Sequence, residues 1–208
     1  MISNVSKEMN SYETSMRRLN SVDTRTISIC SGYGGIELGL SAVVPGIRTV
    51  CYVENEASVC EILGARIKDG LLDDAPIWTD LRTFDATAWR GRVHLITGGF
   101  PCQPHSVAGN RKGADDSREL SGEVLRIAEE LGYPTLFLEN VPGIRKFWYY
   151  TVRPRLQSMG YRVEEVLVTA AETGAPHKRQ RLFILAHHDI GQSIQSEFQE
   201  GSGFDIRD

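Results

Sequence analysis

Between residues 26 and 188 the chain repeats one alternation of apolar patterns. Short runs rich in Ile, Val, Leu and Tyr are followed by longer stretches in which apolar residues recur every third or fourth position. The short runs read as buried strands and the longer ones as one-sided helices. Strands are predicted at 27–31, 48–54, 77–78, 93–97, 135–139, 161–169 and 181–186. Helices are predicted at 36–43, 57–68, 117–131 and 147–159. The helix at 117–131 is the clearest, with Leu120, Val124, Leu125, Ile127, Ala128 and Leu131 on one face. Pro154 is expected to kink or divide the last helix, because it has no N–H to give. The final two strands have no helix between them, which predicts an antiparallel hairpin at one sheet edge. Elsewhere, strands alternating with helices predict a mostly parallel, seven-stranded α/β sheet covered on both faces.

The ends of the chain break the pattern. Residues 1–25 read as a loosely ordered polar arm with one helical turn set expected around Met9 to Leu19, and 189–208 read as a flexible Gly/Ser-rich tail. The catalytic or binding domain is therefore expected at 26–188. With 208 residues, the chain is long enough for one real core. A formal charge of −4 argues against holding nucleic acid by overall charge, though it leaves room for a local basic face. No apolar leader or membrane-length segment is visible, so a cytoplasmic location is expected. Cys30, Cys51, Cys60 and Cys102 show no zinc spacing, so no metal site is expected.

In open parallel sheets, ligands gather at the carboxyl ends of the strands. Candidate chemistry falls there repeatedly. Ser31, Gly32, Tyr33, Gly34 and Gly35 follow the first strand as a glycine turn that lets a ligand approach the backbone. A dinucleotide fingerprint would need a third glycine where Glu37 stands, and that negative side chain is expected to repel a pyrophosphate. Glu54, followed by Asn55, ends the second strand and suits ribose hydroxyls. Asp80, followed by Leu81, ends the third and suits an exocyclic amine. Singly, each acid reads as an ordinary cap or solvated residue. Together they describe an adenosine ligand without pyrophosphate, and S-adenosylmethionine fits.

The fourth strand ends in Gly99, Phe100, Pro101, Cys102 and Gln103. A cysteine in a loop fixed by prolines and glycines is poorly placed to be core, and a thiolate there is a strong nucleophile. Cys51 and Cys60, inside a strand and a helix, read instead as small buried hydrophobes. His105 lies too close along a rigid loop to form a clear Cys/His pair. Glu139-Asn140-Val141 ends the fifth strand, and His177-Lys178-Arg179-Gln180-Arg181 precedes the last. Alone, that basic cluster reads as a solvated edge.

These blocks, in this order, resemble the cytosine-5 DNA methyltransferase family over roughly residues 27–187. SGYGG resembles its cofactor loop, the stretch from Gly98 to Arg118 its catalytic loop, ENV its glutamate motif and HKRQR its arginine motif. The resemblance implies a Rossmann-like methyltransferase fold and S-adenosylmethionine held by Ser31 to Gly35, Glu54, Asn55, Asp80, Leu81, Gly99 and Pro101. It implies that Cys102 attacks cytosine C6, that Glu139 holds and protonates the ring at N3, that Arg179 binds the base carbonyl and that Arg181 supports the loop. It further implies double-stranded DNA with a flipped cytosine as substrate, with Gln103, Ser106, Arg111, Lys112 and Arg118 available to the DNA.

Two departures stand out. Where the family has an aromatic residue before the glycine turn, this chain has Cys30, so weaker cofactor binding is expected unless Tyr33 or Trp78 packs there instead. After the arginine motif, too little chain follows for a target-recognition region, so a partner chain supplying recognition is expected. Two alternatives stay open: an inactive remnant or regulatory subunit, and methylation of RNA cytosine.

Overall fold

The computed structural model describes residues 23–101 and 120–188. Seven strands form one sheet in the order β3-β2-β1-β4-β5-β7-β6. The strands are β1 (Thr24–Ile29), β2 (Ile47–Val53), β3 (Ile77–Trp78), β4 (Leu95–Gly98), β5 (Thr135–Asn140), β6 (Arg162–Thr169) and β7 (Gln180–His187). The first five pair in parallel, and β7 lies antiparallel between β5 and β6. This is the Rossmann-like sheet with an antiparallel edge pair that the patterning predicts. β1 starts at Thr24, inside the polar arm drawn at 1–25, because Thr24 and Arg25 already pair with Ile47 and Arg48.

On one face lie α1 (Gly35–Ser41) and α2 (Ala57–Lys68), the latter with the predicted bounds. Leu63 of α2 packs with Tyr52 of β2, beside Leu38 of α1. The opposite face carries the larger core. There α3 (Ser121–Leu131) buries Val124, Leu125, Ile127, Ala128 and Leu131 on Ile27, Ile29, Ile96, Leu136 and Leu138. α3 is capped by Gly132 in the left-handed conformation. The predicted helix was drawn from 117, and its first residues lie outside those described.

The last helical rod is built in three pieces: α4 (Arg145–Phe147), a π-helical turn (Trp148–Val152) and α5 (Arg153–Ser158). Pro154 is the second residue of the last piece. It cannot donate to the preceding turn, and the widened π turn takes up the mismatch, so the rod is divided but not broken. Trp148 lies fully buried beneath it, its indole N–H donating to Glu165 at 2.8 Å. The β6–β7 connection was expected to hold no helix. It contains a short 3-10 turn (Ala170–Thr173), because Thr169 and Glu172 cap each other's backbone.

Candidate active site

Three left-handed residues cluster just after the carboxyl end of β1. Cys30, Gly32 and Gly34 all have positive φ, at 48°, 54° and 72°. At Gly34 a side chain would run into Leu72, at 2.6 Å, so this glycine serves packing. At Gly32 an added Cβ would meet nothing within 4 Å, which leaves its backbone open to a ligand. Ser31 is buried and turned inward, donating to the Ser28 carbonyl at 3.0 Å. Glu37 is also buried, accepting 2.6 Å from the Thr97 hydroxyl beneath α1. It therefore does not stand where it could repel a ligand at the turn, contrary to expectation. The 3.6-residue period carries it under the helix toward the sheet.

The Glu54 carboxylate is fixed by three backbone donors. Oε2 accepts from Gly32 N–H at 2.8 Å, and Oε1 from the N–H groups of Asn55 and Glu56, each at 3.0 Å. One acid thus joins the glycine turn to the start of α2. Asp80 caps the turn Leu81–Thr83, accepting 3.0 Å from Arg82 N–H. A cavity of about 810 Å3 opens between these acids, walled by Cys30, Gly32, Asn55, Leu81, Gly99 and Pro101. That volume is typical of a site for a nucleoside-sized ligand. Glu56, Arg82 and Leu120 also line it and had no motif to announce them.

Neither aromatic expected to replace the missing ring is there. Tyr33 is 53% exposed beyond the turn, under the Arg66 guanidinium at 6.0 Å. Trp78 turns away to donate 3.1 Å to the Thr83 hydroxyl and to meet Phe84 edge-on. Cys30 itself lines the cavity. Burial, with Glu54 nearby, pushes its thiol up to about 12, so it stays neutral. Cys51 is buried as expected, while Cys60 is half-buried and donates to the Glu54 carbonyl at 3.2 Å.

A second cavity, about 690 Å3, shares Cys30, Gly32 and Gly99 with the first and reaches Glu139 and Arg179. Glu139 leaves the tip of β5. A Cβ at Gly99 would lie only 3.1 Å from its Oε2, so a glycine there makes room for the carboxylate. The residue paired with Glu139 is Arg181, through Nε to Oε1. Arg179 stands just before β7, its carbonyl accepting 2.8 Å from Ala170 N–H. Asn140, which sequence reading quoted in a motif but gave no role, is buried and donates 3.0 Å to the Phe100 carbonyl. It ties the start of the cysteine loop to β5. Cys102, Gln103, Ser106, Arg111, Lys112 and Arg118 lie outside the described residues. Among those described, no helix is long and apolar enough to cross a membrane.

The site can thus hold a polar, nucleoside-like molecule beside a second pocket lined by the Glu139 carboxylate and Arg179, with Arg181 paired to Glu139. Comparison with known proteins leads the same way. The family model for C-5 cytosine-specific DNA methylases matches residues 24–202. Type II methyltransferase M.NgoMIV of Neisseria gonorrhoeae is 33% identical over 165 residues, 77% of this chain and 51% of that one. M.PspPI of a Psychrobacter strain is 32% identical over 166 residues, 76% and 38%. The chain thus spans about half or less of the length of these relatives. Nothing in these matches points to the partner chain expected above. The fold is that of solved methyltransferases. The Dnmt2 methyltransferase of S. pombe superposes with a TM-score of 0.63 at 24% identity, over 80% of this chain and 51% of that one. Since the family match spans both described segments and continues past them, the chain belongs to the C-5 cytosine-specific DNA methylase family.

Proposed function

We propose that the protein transfers a methyl group to C5 of cytosine in DNA, with S-adenosylmethionine as donor. The observation that carries this reading is the shared wall of the two cavities. Cys30, Gly32 and Gly99 border both, so a ligand on Glu54 and Asp80 lies next to a ring on Glu139 and Arg179. Such juxtaposition of two reactants supplies much of a transfer enzyme's rate. When bound, the cofactor supplies an electrophilic methyl group. Glu54, already oriented by three backbone N–H groups, would take the ribose hydroxyls, and the Gly32 turn would admit the amino-acid end. Asp80 and Leu81 would meet the adenine edge.

Cytosine C5 is a poor nucleophile, and the chain's residues would change that. Cys102 would bond to C6, moving electrons toward C5. Glu139, positioned by Arg181, would hold the ring and deliver a proton to N3, drawing electrons inward as the C6 bond forms. Arg179 would take the base carbonyl. Once C5 has taken the methyl group, loss of the C5 proton and of Cys102 would release the methylated base. The base must leave the duplex stack to reach this pocket. The curated relatives are named as Type II methyltransferases, which fits a DNA substrate.

The test is covalent trapping. Duplex DNA carrying 5-fluorocytosine is incubated with the protein and labelled cofactor, beside Cys102→Ala. Fluorine cannot leave as the C5 proton does, so a denaturant-resistant adduct should form with the wild type alone. An adduct with fluorocytosine RNA but not DNA would turn the reading to RNA. No adduct with either, while cofactor still binds, would favour a remnant or regulatory chain.

A further inference from the structure

Between β3 and β4 the chain crosses residues 79–94 with only two 3-10 turns, Leu81–Thr83 and Thr87–Trp89. Its buried backbone groups therefore need partners from outside sheet and helix ladders. Leu81, Phe84 and Ala86 are all buried there. Helix α3 supplies the partners. Arg126 Nη2 donates 3.0 Å to the Leu81 carbonyl, and Nη1 donates 3.1 Å to the Phe84 carbonyl. One turn further along α3, Glu130 accepts 3.0 Å from Ala86 N–H.

The Arg126 guanidinium is itself held in place. Its Nε donates 2.8 Å to Glu123, and its Nη1 donates 2.6 Å to Glu130. These carboxylates stand one turn to either side on the same helix, so they compensate the charge and orient the planar group. Two carboxylates and two carbonyls thus share one fork of five N–H donors. A lysine ammonium has fewer donors and no fixed fork, so it does not reproduce this set.

The turn that Arg126 grips is part of the cofactor cavity. Asp80 and Leu81 line that cavity, and so does Leu120, the residue that precedes α3. Asp80 fastens the turn from within, through Arg82 N–H, and Arg126 fastens it from the helix side. Arg126 does not itself line the cavity. The same segment has a second tie to α3 at its far end. Arg90 Nη1 donates to the carbonyls of Glu129 and Glu130, at 2.9 and 3.3 Å. Neither Arg90 nor its chain neighbours line either cavity of the site.

We propose that Arg126 is a positioning residue for the cofactor. Through the Leu81 carbonyl it sets where Asp80 and Leu81 meet the adenine edge. The inference rests on the reading of this cavity as the S-adenosylmethionine site. Without Arg126 the turn loses its outer fastening, while Glu54 keeps its three backbone donors and the ribose side is unchanged. Binding therefore weakens, and a cofactor that does bind still presents its methyl group beside the second pocket.

Calorimetric titration with S-adenosylmethionine, beside methylation kinetics on duplex DNA, tests this on the full chain. Arg126→Ala should raise the cofactor Kd, and with it KM for cofactor, about tenfold. At saturating cofactor, kcat should stay within roughly threefold of the wild type. Arg126→Lys keeps a positive charge between Glu123 and Glu130 but lacks the fork, so Kd should still rise about threefold. Should Arg126→Ala unfold, the lysine variant decides. Arg90→Ala removes the tie that leads to neither cavity. It should lower the melting temperature and leave the cofactor Kd unchanged. An unchanged Kd in either folded Arg126 variant, or an equal rise in Arg90→Ala, would overturn the proposal. So would a loss of kcat with no rise in KM. Wild-type protein that binds no S-adenosylmethionine would overturn the cofactor reading itself, and this proposal with it.

Discussion

The two ends of the sheet treat polar groups differently. At the amino ends of the strands, polar groups are tied to one another. Arg48 grips Asp23 with two bonds of 2.6 and 3.3 Å, Thr49 N–H donates 2.7 Å to Asp73, and Arg25 N–H donates 3.0 Å to His94 Nδ1. At the carboxyl ends, acids are held from one side and line cavities on the other. Glu54 is fixed by backbone N–H groups and Glu139 by Arg181 and the space at Gly99. The backbone there bends through three left-handed residues, none of which belongs to a strand. One sheet thus separates stability from chemistry along its strands. Substitutions at one end should cost folding, and substitutions at the other should cost turnover.

The largest effect belongs to the carboxyl end. Cys102→Ala should lower methyl transfer by ~1,000-fold or more and leave the melting temperature and cofactor binding unchanged. Retained transfer in that variant would dissolve the assignment of chemistry to this end. Glu139→Gln keeps the shape against Gly99 but removes the charge facing Arg181. Transfer should fall by roughly 100-fold, with little change in cofactor affinity. Isothermal titration with cofactor beside single-turnover methylation separates the two. Glu54→Ala breaks a different link, leaving three backbone N–H groups without their acceptor. Cofactor Kd should rise by about tenfold, and cofactor saturation should restore most of the rate. At the opposite end, Asp73→Ala strips the acceptor from Thr49 N–H. It should cost about 1 kcal/mol of unfolding free energy in urea titration and leave transfer intact.

Much of this was legible in the sequence because the relevant forces are local. The helix Ala57–Lys68 and the two-residue strand Ile77–Trp78 have the bounds that periodicity predicts. The strand tips fell where glycines and acids interrupt apolar runs. Less legible was whatever depends on registry between distant segments. Which arginine meets Glu139 is set by the antiparallel register that places Arg181 within β7 and leaves Arg179 before it. One of the three backbone donors of Glu54, Gly32 N–H, comes from a turn 22 residues away in sequence. The inward turn of Glu37 needs a partner, Thr97, on a strand still to come.

The smallest predicted effect tests the amino end by pH alone. His94 accepts from Arg25 N–H at Nδ1, so that nitrogen must be unprotonated in the folded protein. Burial lowers its pKa, the positive charge of Arg25 lowers it further, and Asp23 opposes them. The unfolded chain takes up a proton on this histidine near pH 6.5, where the folded chain still resists. Below that pH the unfolded state binds more protons, so stability falls as pH falls. It is complete above pH ~6.5 and declines as the pH drops toward the lower folded value. Asp23, held below its ordinary value chiefly by its bond to Arg48, stays ionised through that window and does not mimic the effect. Thermal melts between pH 7.5 and 5.5 should therefore show a fall on the order of 1 °C. His94→Asn can still accept from Arg25 N–H but does not titrate, so it should flatten that slope. An unchanged slope in His94→Asn would place the titrating group elsewhere, and if that group lay at the carboxyl end, the division between the two ends would fail.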